Sequence, residues 1–215
     1  MKIIKILLKS FLAGFAISLG GWLCLRSKVD YDSPLFSCFV FSFGLILICN
    51  FDFYLYTGKI CYVFEKNEQK WYQKLYTVLL ILVGNYLGCL FVGSILRALY
   101  KDSFSLLFAS LNNSVLLKIN FSWIKVIGVS FFCGLLVYVA VEGFKKIENN
   151  FGKYVVLVLA IGGFILAGFE HSIANMFYFC LNASYGFEAF WFLILCVLGN
   201  SIGGVFIPLI NKVLK

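Results

Sequence analysis

The chain has 215 residues, of which 62% are hydrophobic and only 13% charged, whereas soluble domains run at roughly half apolar and a quarter charged. That composition excludes a soluble globular enzyme or binding module; it predicts one integral membrane domain over residues 1–215, with room for about six spans of about 20 to 25 residues. A net charge of +8 would suggest a nucleic-acid partner in a soluble protein, but the lysines gather at the ends of apolar runs, so they read as topology signals and no nucleic acid is expected.

The first span is expected at 4–25. Its charged start resembles a signal peptide, but no small-x-small cleavage site follows, and the apolar run continues to Leu23, long enough to cross a bilayer. The second span, 34–64, has a polar interruption from Cys49 to Lys59, including Asn50, Asp52, Thr57 and Gly58. The third and fourth cover 75–100 and 119–141, with a basic connector at 97–125. The fifth, 153–182, is interrupted at Gly168-Phe169-Glu170-His171-Ser172-Ile173-Ala174-Asn175-Met176. There the chain's one histidine and an adjacent carboxylate sit in an apolar run near bilayer mid-depth, where ionisable residues are costly and mark functional sites. The sixth span is 189–212.

Six spans put both termini on one side. With the N-terminus inside, 12 of the 18 basic residues are cytoplasmic: Lys2, Lys5, Lys9, Lys59, Lys66, Lys70, Lys74, Lys145, Lys146, Lys153, Lys212 and Lys215. Arg26, Lys28, Arg97, Lys101, Lys118 and Lys125 fall outside. The bias predicts a multi-pass protein of the plasma membrane with both termini in the cytoplasm. Eight cysteines (24, 38, 49, 61, 89, 133, 180 and 196) are scattered singly, with no C-x-x-C. They read as buried free thiols, and no metal or other cofactor is expected.

Val83-Gly84-Asn85-Tyr86-Leu87-Gly88 in the third span matches Leu198-Gly199-Asn200-Ser201-Ile202-Gly203 in the sixth, at an offset of 115 residues. With three spans per half, the second copy enters from the opposite side, giving an inverted 3+3 repeat over about 1–100 and 115–215. The small residues let neighbouring helices approach closely. Spans two and five then hold equivalent places, and helices broken at corresponding positions point to a permeation site. Unwound backbone survives at that depth only where it lines a cavity or is buried by protein. Thr57 and His171, 114 residues apart, are expected to face each other across the pseudo-symmetric centre.

The segment Gly168 to Met176 resembles, nearly letter for letter, the G-F-E-H-S-I-A-N-M signature of the formate/nitrite transporter family, pentameric channels for small monovalent anions. Ala13-Gly14 to Gly20-Gly21 is similar to the family's first span, Leu55-Tyr56-Thr57-Gly58 to its L-F-T-G loop, and Leu198 to Gly204 to its L-G-N-x-I-G-G. The resemblance implies an all-α integral membrane fold of six transmembrane helices, with helices two and five broken, an aquaporin-like protomer and a homopentamer with a pore in each protomer. It also implies a cytoplasmic constriction at Leu45, Leu55 and Tyr56, a periplasmic one at Phe41 and Phe164, and central polar positions at His171, Thr57 and Asn200.

Several positions depart from the family pattern. Tyr56 replaces the usual phenylalanine, Tyr54 stands where an acidic residue is common, and Lys59 follows the glycine where asparagine is frequent. Ser130 falls at a usual asparagine, and Ser114 at the family's vestibule lysine, for which Lys118 is the nearest substitute, one helical turn away. The chain is shorter than typical members, and the long N-terminal segment that could serve as a gate in some relatives is expected to be missing.

A bare anion in a low-dielectric passage costs several kcal/mol even after relaxation. Protonating a carboxylic acid of pKa about 4 at pH 7 costs about 4 kcal/mol. The comparison favours passage of the neutral acid between two apolar constrictions. A desolvated imidazolium is equally disfavoured, so His171 is expected to rest neutral and either to supply the proton or only to position and polarise. The Thr57 hydroxyl and the Asn200 amide are expected to bond the ring or the anion. Glu170 diverges from the pore and is expected, with Asn175 and Lys118, to tie down donors around the break.

The favoured reading is a channel, or proton-coupled facilitator, for formate, nitrite, hydrosulfide or a short carboxylate; the protein is expected not to be an enzyme. A water channel of the same fold lacks the paired N-P-A loops, the prolines being Pro34 and Pro208. An intramembrane hydrolase using His171 has no G-x-S-x-G, and the neighbouring Ser172 is poorly placed for activation by it. A non-transporting scaffold stays open through the substitutions at 54, 114 and 130.

Overall fold

In a computed structural model, which describes residues 2–31, 33–65 and 70–214, all regular structure among the described residues is helical. α1 spans Lys2–Tyr31 and α2 Pro34–Asn50. Ser33 caps α2 by accepting from the Phe36 N–H at 3.4 Å, and Pro34 sits in the first turn, where no intrahelical bond is lost. α3 is a single turn, Tyr56–Lys59, continued by the 3₁₀ turn Ile60–Tyr62. α4 is Trp71–Tyr100, α5 Ser105–Ile119 and α6 Trp123–Lys146. α7 is Asn150–Leu166, with Asn149 Oδ1 accepting from the Gly152 N–H at 2.8 Å. α8 is Ser172–Asn182 and α9 Phe187–Val213.

α1, α4, α6 and α9 are each long and apolar enough to cross a membrane. Segments two and five are instead helix, break and short helix: α2 and α7 are 17 residues each and stop before Thr57 and His171. The topology lysines Lys66 and Lys215 lie outside the described residues.

The connector expected at 97–125 contains a helix. α5 places Leu107, Phe108, Leu111 and Val115 on one buried face, against α8, α1 and α9, while Leu106 and Leu117 stay exposed. Buried residues at i, i+1, i+4 and i+8 form an amphipathic stripe; Asn112-Asn113-Ser114 masks it in the sequence by reading as a polar loop.

α1 lies against α4, and α6 against α9, with backbone in contact. A Cβ on Gly14 would collide with the Asn85 carbonyl, and one on Gly134 with the Asn200 carbonyl. Glycine is required at these crossings because the helix axes are too close for any side chain. Among the described residues every cysteine is a free thiol, buried except for the half-buried Cys49.

Candidate functional site

α2 and α7 end in the same way. After α2, Asp52 takes a left-handed conformation (φ 48°), and the Phe53 N–H reaches back to the Ile48 carbonyl at 3.0 Å. After α7, Gly168 does so (φ 71°), and the Phe169 N–H reaches the Phe164 carbonyl at 2.9 Å. This six-to-one bond is the Schellman stop, which needs glycine, or a short polar residue that tolerates the left-handed region. Each break then runs extended into a short helix.

One asparagine holds each break. Asn85 Oδ1 accepts from the Tyr56 N–H at 2.8 Å, and its Nδ2 donates to the carbonyls of Tyr54 at 2.8 Å and Ser10 at 2.7 Å. Asn200 Oδ1 accepts from the Ser172 N–H at 2.8 Å, and its Nδ2 donates to the carbonyls of Glu170 at 2.9 Å and Ser130 at 2.8 Å. Both amides are fully buried. They supply internally the partners that unwound backbone needs in a bilayer. The sequence leads one to expect the Asn200 amide on the His171 ring or on the anion; here all three of its bonds go to backbone. Asn85 is the residue that sequence reasoning missed as a site residue, and its signal was the Gly-Asn match between spans three and six.

His171 is the N-cap of α8, its Nδ1 accepting from the Ala174 N–H at 3.2 Å. A neutral ring that accepts at Nδ1 carries its hydrogen on Nε2. Nε2 therefore donates to Thr57 Oγ1, 2.9 Å away on α3, and the Thr57 hydroxyl hydrogen stays free to donate. The two meet without holding equivalent positions: the short helices start at Tyr56 and Ser172, 116 residues apart, so His171 corresponds to Leu55. Phe164 stacks on the imidazole, with centroids 5.8 Å apart and planes at 23°, and Phe41 meets Phe164 edge-on at 6.1 Å.

Leu45 and Leu55 are buried. Leu55 borders a cavity of about 70 Å³ that Cys49, Asp52, Lys59 and Lys145 also line. Tyr56 turns to α9, where its hydroxyl lies 2.8 Å from Ser201 Oγ. Ser201 Oγ itself donates to the Val197 carbonyl, so the phenol is the donor. Tyr54 lies between two ammonium groups, with Lys9 Nζ 5.0 Å and Lys59 Nζ 4.8 Å from its ring centroid. Asp52 accepts from the same Lys9 at 2.6 Å. The aromatic face of Tyr54 thus meets both cations.

α5 brings Lys118 to the second break. Its Nζ donates to Glu170 Oε2 at 2.7 Å and to Asn175 Oδ1 at 2.8 Å, and Asn175 Nδ2 donates to the same Glu170 oxygen at 2.8 Å. Ser114, one turn earlier, donates to the Ser110 carbonyl within α5. The carboxylate is nearly buried, and this closed triangle satisfies it with an ammonium and an amide. Among the described residues no cluster of His, Cys, Asp and Glu has the makings of a metal site.

Residues 1–213 match the family model described as formate/nitrite transporter. The formate channel FocA of Haemophilus influenzae is 24% identical over 164 residues, covering 71% of this chain and 56% of its own length, so the chain spans little more than half of that relative. A formate-nitrite transporter of Plasmodium knowlesi is 28% identical over 236 residues, covering 95% of this chain and 74% of its own. Two solved structures share the fold. One, described as a pentameric formate channel with formate bound, has a TM-score of 0.86 at 21% identity, covering 99% of this chain and 97% of that one. The other, an FNT family ion channel, has a TM-score of 0.88 at 22% identity, covering 99% and 90%. These relatives are channels and transporters, not enzymes.

Proposed function

The chain belongs to the formate/nitrite transporter family, and from that premise we propose that it is a channel or facilitator for a small weak-acid anion: formate, nitrite, hydrosulfide or a short carboxylate. The observation that carries the reading is the Thr57–His171 bond joining the two breaks at the centre of the molecule. Leu45 and Leu55 form the constriction on the cytoplasmic side, and Phe41 and Phe164 the one on the far side. Lys59 and Lys145 border the cavity that ends on Leu55 and draw the anion in. The anion takes its proton from hydronium or buffer acid of the bulk solution at that mouth, leaving water or the buffer base behind, and the neutral acid crosses the apolar constriction that rejects the bare charge. Both nitrogens of the neutral His171 ring are engaged, so the ring orients the Thr57 hydroxyl rather than delivering a proton.

The matched bonding of Asn85 and Asn200 supports six spans arranged as an inverted 3+3 repeat. We further place the protein in the plasma membrane, with both termini cytoplasmic, as a homopentamer with a pore in each protomer.

Reconstitution in liposomes tests the reading, with uptake of formate, nitrite and hydrosulfide followed across pH for the wild type and His171→Asn. Flux that rises on acidification, and falls in the variant, is the expected result. Silence with every anion sinks the channel in favour of a non-transporting scaffold.

A further inference from the structure

Ser172 Oγ is the one buried side-chain oxygen or nitrogen without a hydrogen-bond partner among the described residues. Serines inside helices normally donate to the carbonyl four residues back. Ser10, Ser18, Ser114 and Ser201 all do so here. Ser172 lacks that outlet because it is the first residue of α8, and residues 168–171 form the break. Its own N–H is held by Asn200, which fixes the backbone beneath the hydroxyl. An orphaned hydroxyl in a dry site is costly enough to call for an explanation such as an absent water, ion or substrate.

The place supplies one. Ser172 adjoins His171, whose two ring nitrogens are both engaged, at the N-terminus of an eleven-residue helix where the partial positive charge favours electron-rich groups. A solute reaching the histidine finds no free donor on the ring. The hydroxyl hydrogens left unengaged at the starts of the two short helices belong to Thr57 and Ser172, the Tyr56 phenol being spent on Ser201. We propose that the Ser172 hydroxyl donates a hydrogen bond to an oxygen of the acid in transit. Together with Thr57 it makes the centre selective for oxygen acids over hydrosulfide, whose sulfur accepts weakly. This inference rests on the channel reading above.

Ser172→Ala separates the possibilities in the same liposomes. The hydroxyl makes no bond in the resting protein, so the variant should assemble and melt like the wild type. Its formate and nitrite fluxes should fall about three- to tenfold, the scale of one hydrogen bond, while hydrosulfide flux changes by less than about twofold. Formate flux equal to wild type overturns the inference. So does an equal loss for all three anions, which marks a structural role. A wild-type protein that passes none of the three overturns the channel reading, and this inference with it.

Discussion

The ion pair between Lys118 and Glu170 ties α5 to the second break. Glu170 sits at the second break with its carboxylate nearly out of reach of solvent, and Lys118 arrives from α5 to neutralise it. Breaking a buried pair leaves one uncompensated charge and costs about 3 to 5 kcal/mol. Lys118→Met should therefore lower the melting temperature in detergent substantially. Adding Glu170→Gln to it should recover most of the loss, since the amide needs no counter-charge. A single variant that melts like the wild type refutes this account. The sequence singles out all three members of the triangle, with Lys118 both as a support at the break and as the nearest substitute for a vestibule lysine. Nothing in the letters tells that α5 is a helix aimed at the break, and only that placement turns a basic residue of an expected loop into the partner of Glu170.

At the scale of elements, the breaks are where the sequence was most and least legible. Their positions could be read from polar letters in apolar runs, because a lipid-facing helix has no other reason to carry them. The role of Asn200 could not. An asparagine in a span reads the same whether its amide faces a pore or an unwound backbone, and three bonds to main chain decide for the latter. α5 was missed for a related reason, since three polar residues in its middle hide a stripe that only burial reveals. At the breaks, Asn85→Ala or Asn200→Ala takes the amide partner from two backbone groups, the Tyr54 carbonyl and Tyr56 N–H or the Glu170 carbonyl and Ser172 N–H, at about 1 to 3 kcal/mol each. Either variant should fold poorly. Asn→Asp should be nearly as damaging, because the carboxylate keeps the acceptor but loses both donors. Thermal unfolding of purified protein checks this, and near-wild-type stability for the Ala variants contradicts it.

The whole molecule presents many exposed large apolar residues to its surroundings, among them Phe91, Phe187, Phe190 and Trp191. A bilayer accounts for such a surface. Family membership argues for protomers meeting over part of it, and native mass spectrometry from detergent should show a pentamer; a monomer across concentrations would speak against it.

The twin asparagine anchors also bear on kinetics. Each break is fastened to a neighbouring long helix and to its own short helix through one amide. Unwinding or sliding either segment would sever both of the amide's bonds to it together. The backbone around the central bond is thus a rigid frame, and the movable parts are rings and hydroxyls, which reorient far faster than segments do. In the proposed channel such a frame would act as a fixed sieve, with throughput set by how often a solute arrives and not by how often a gate swings.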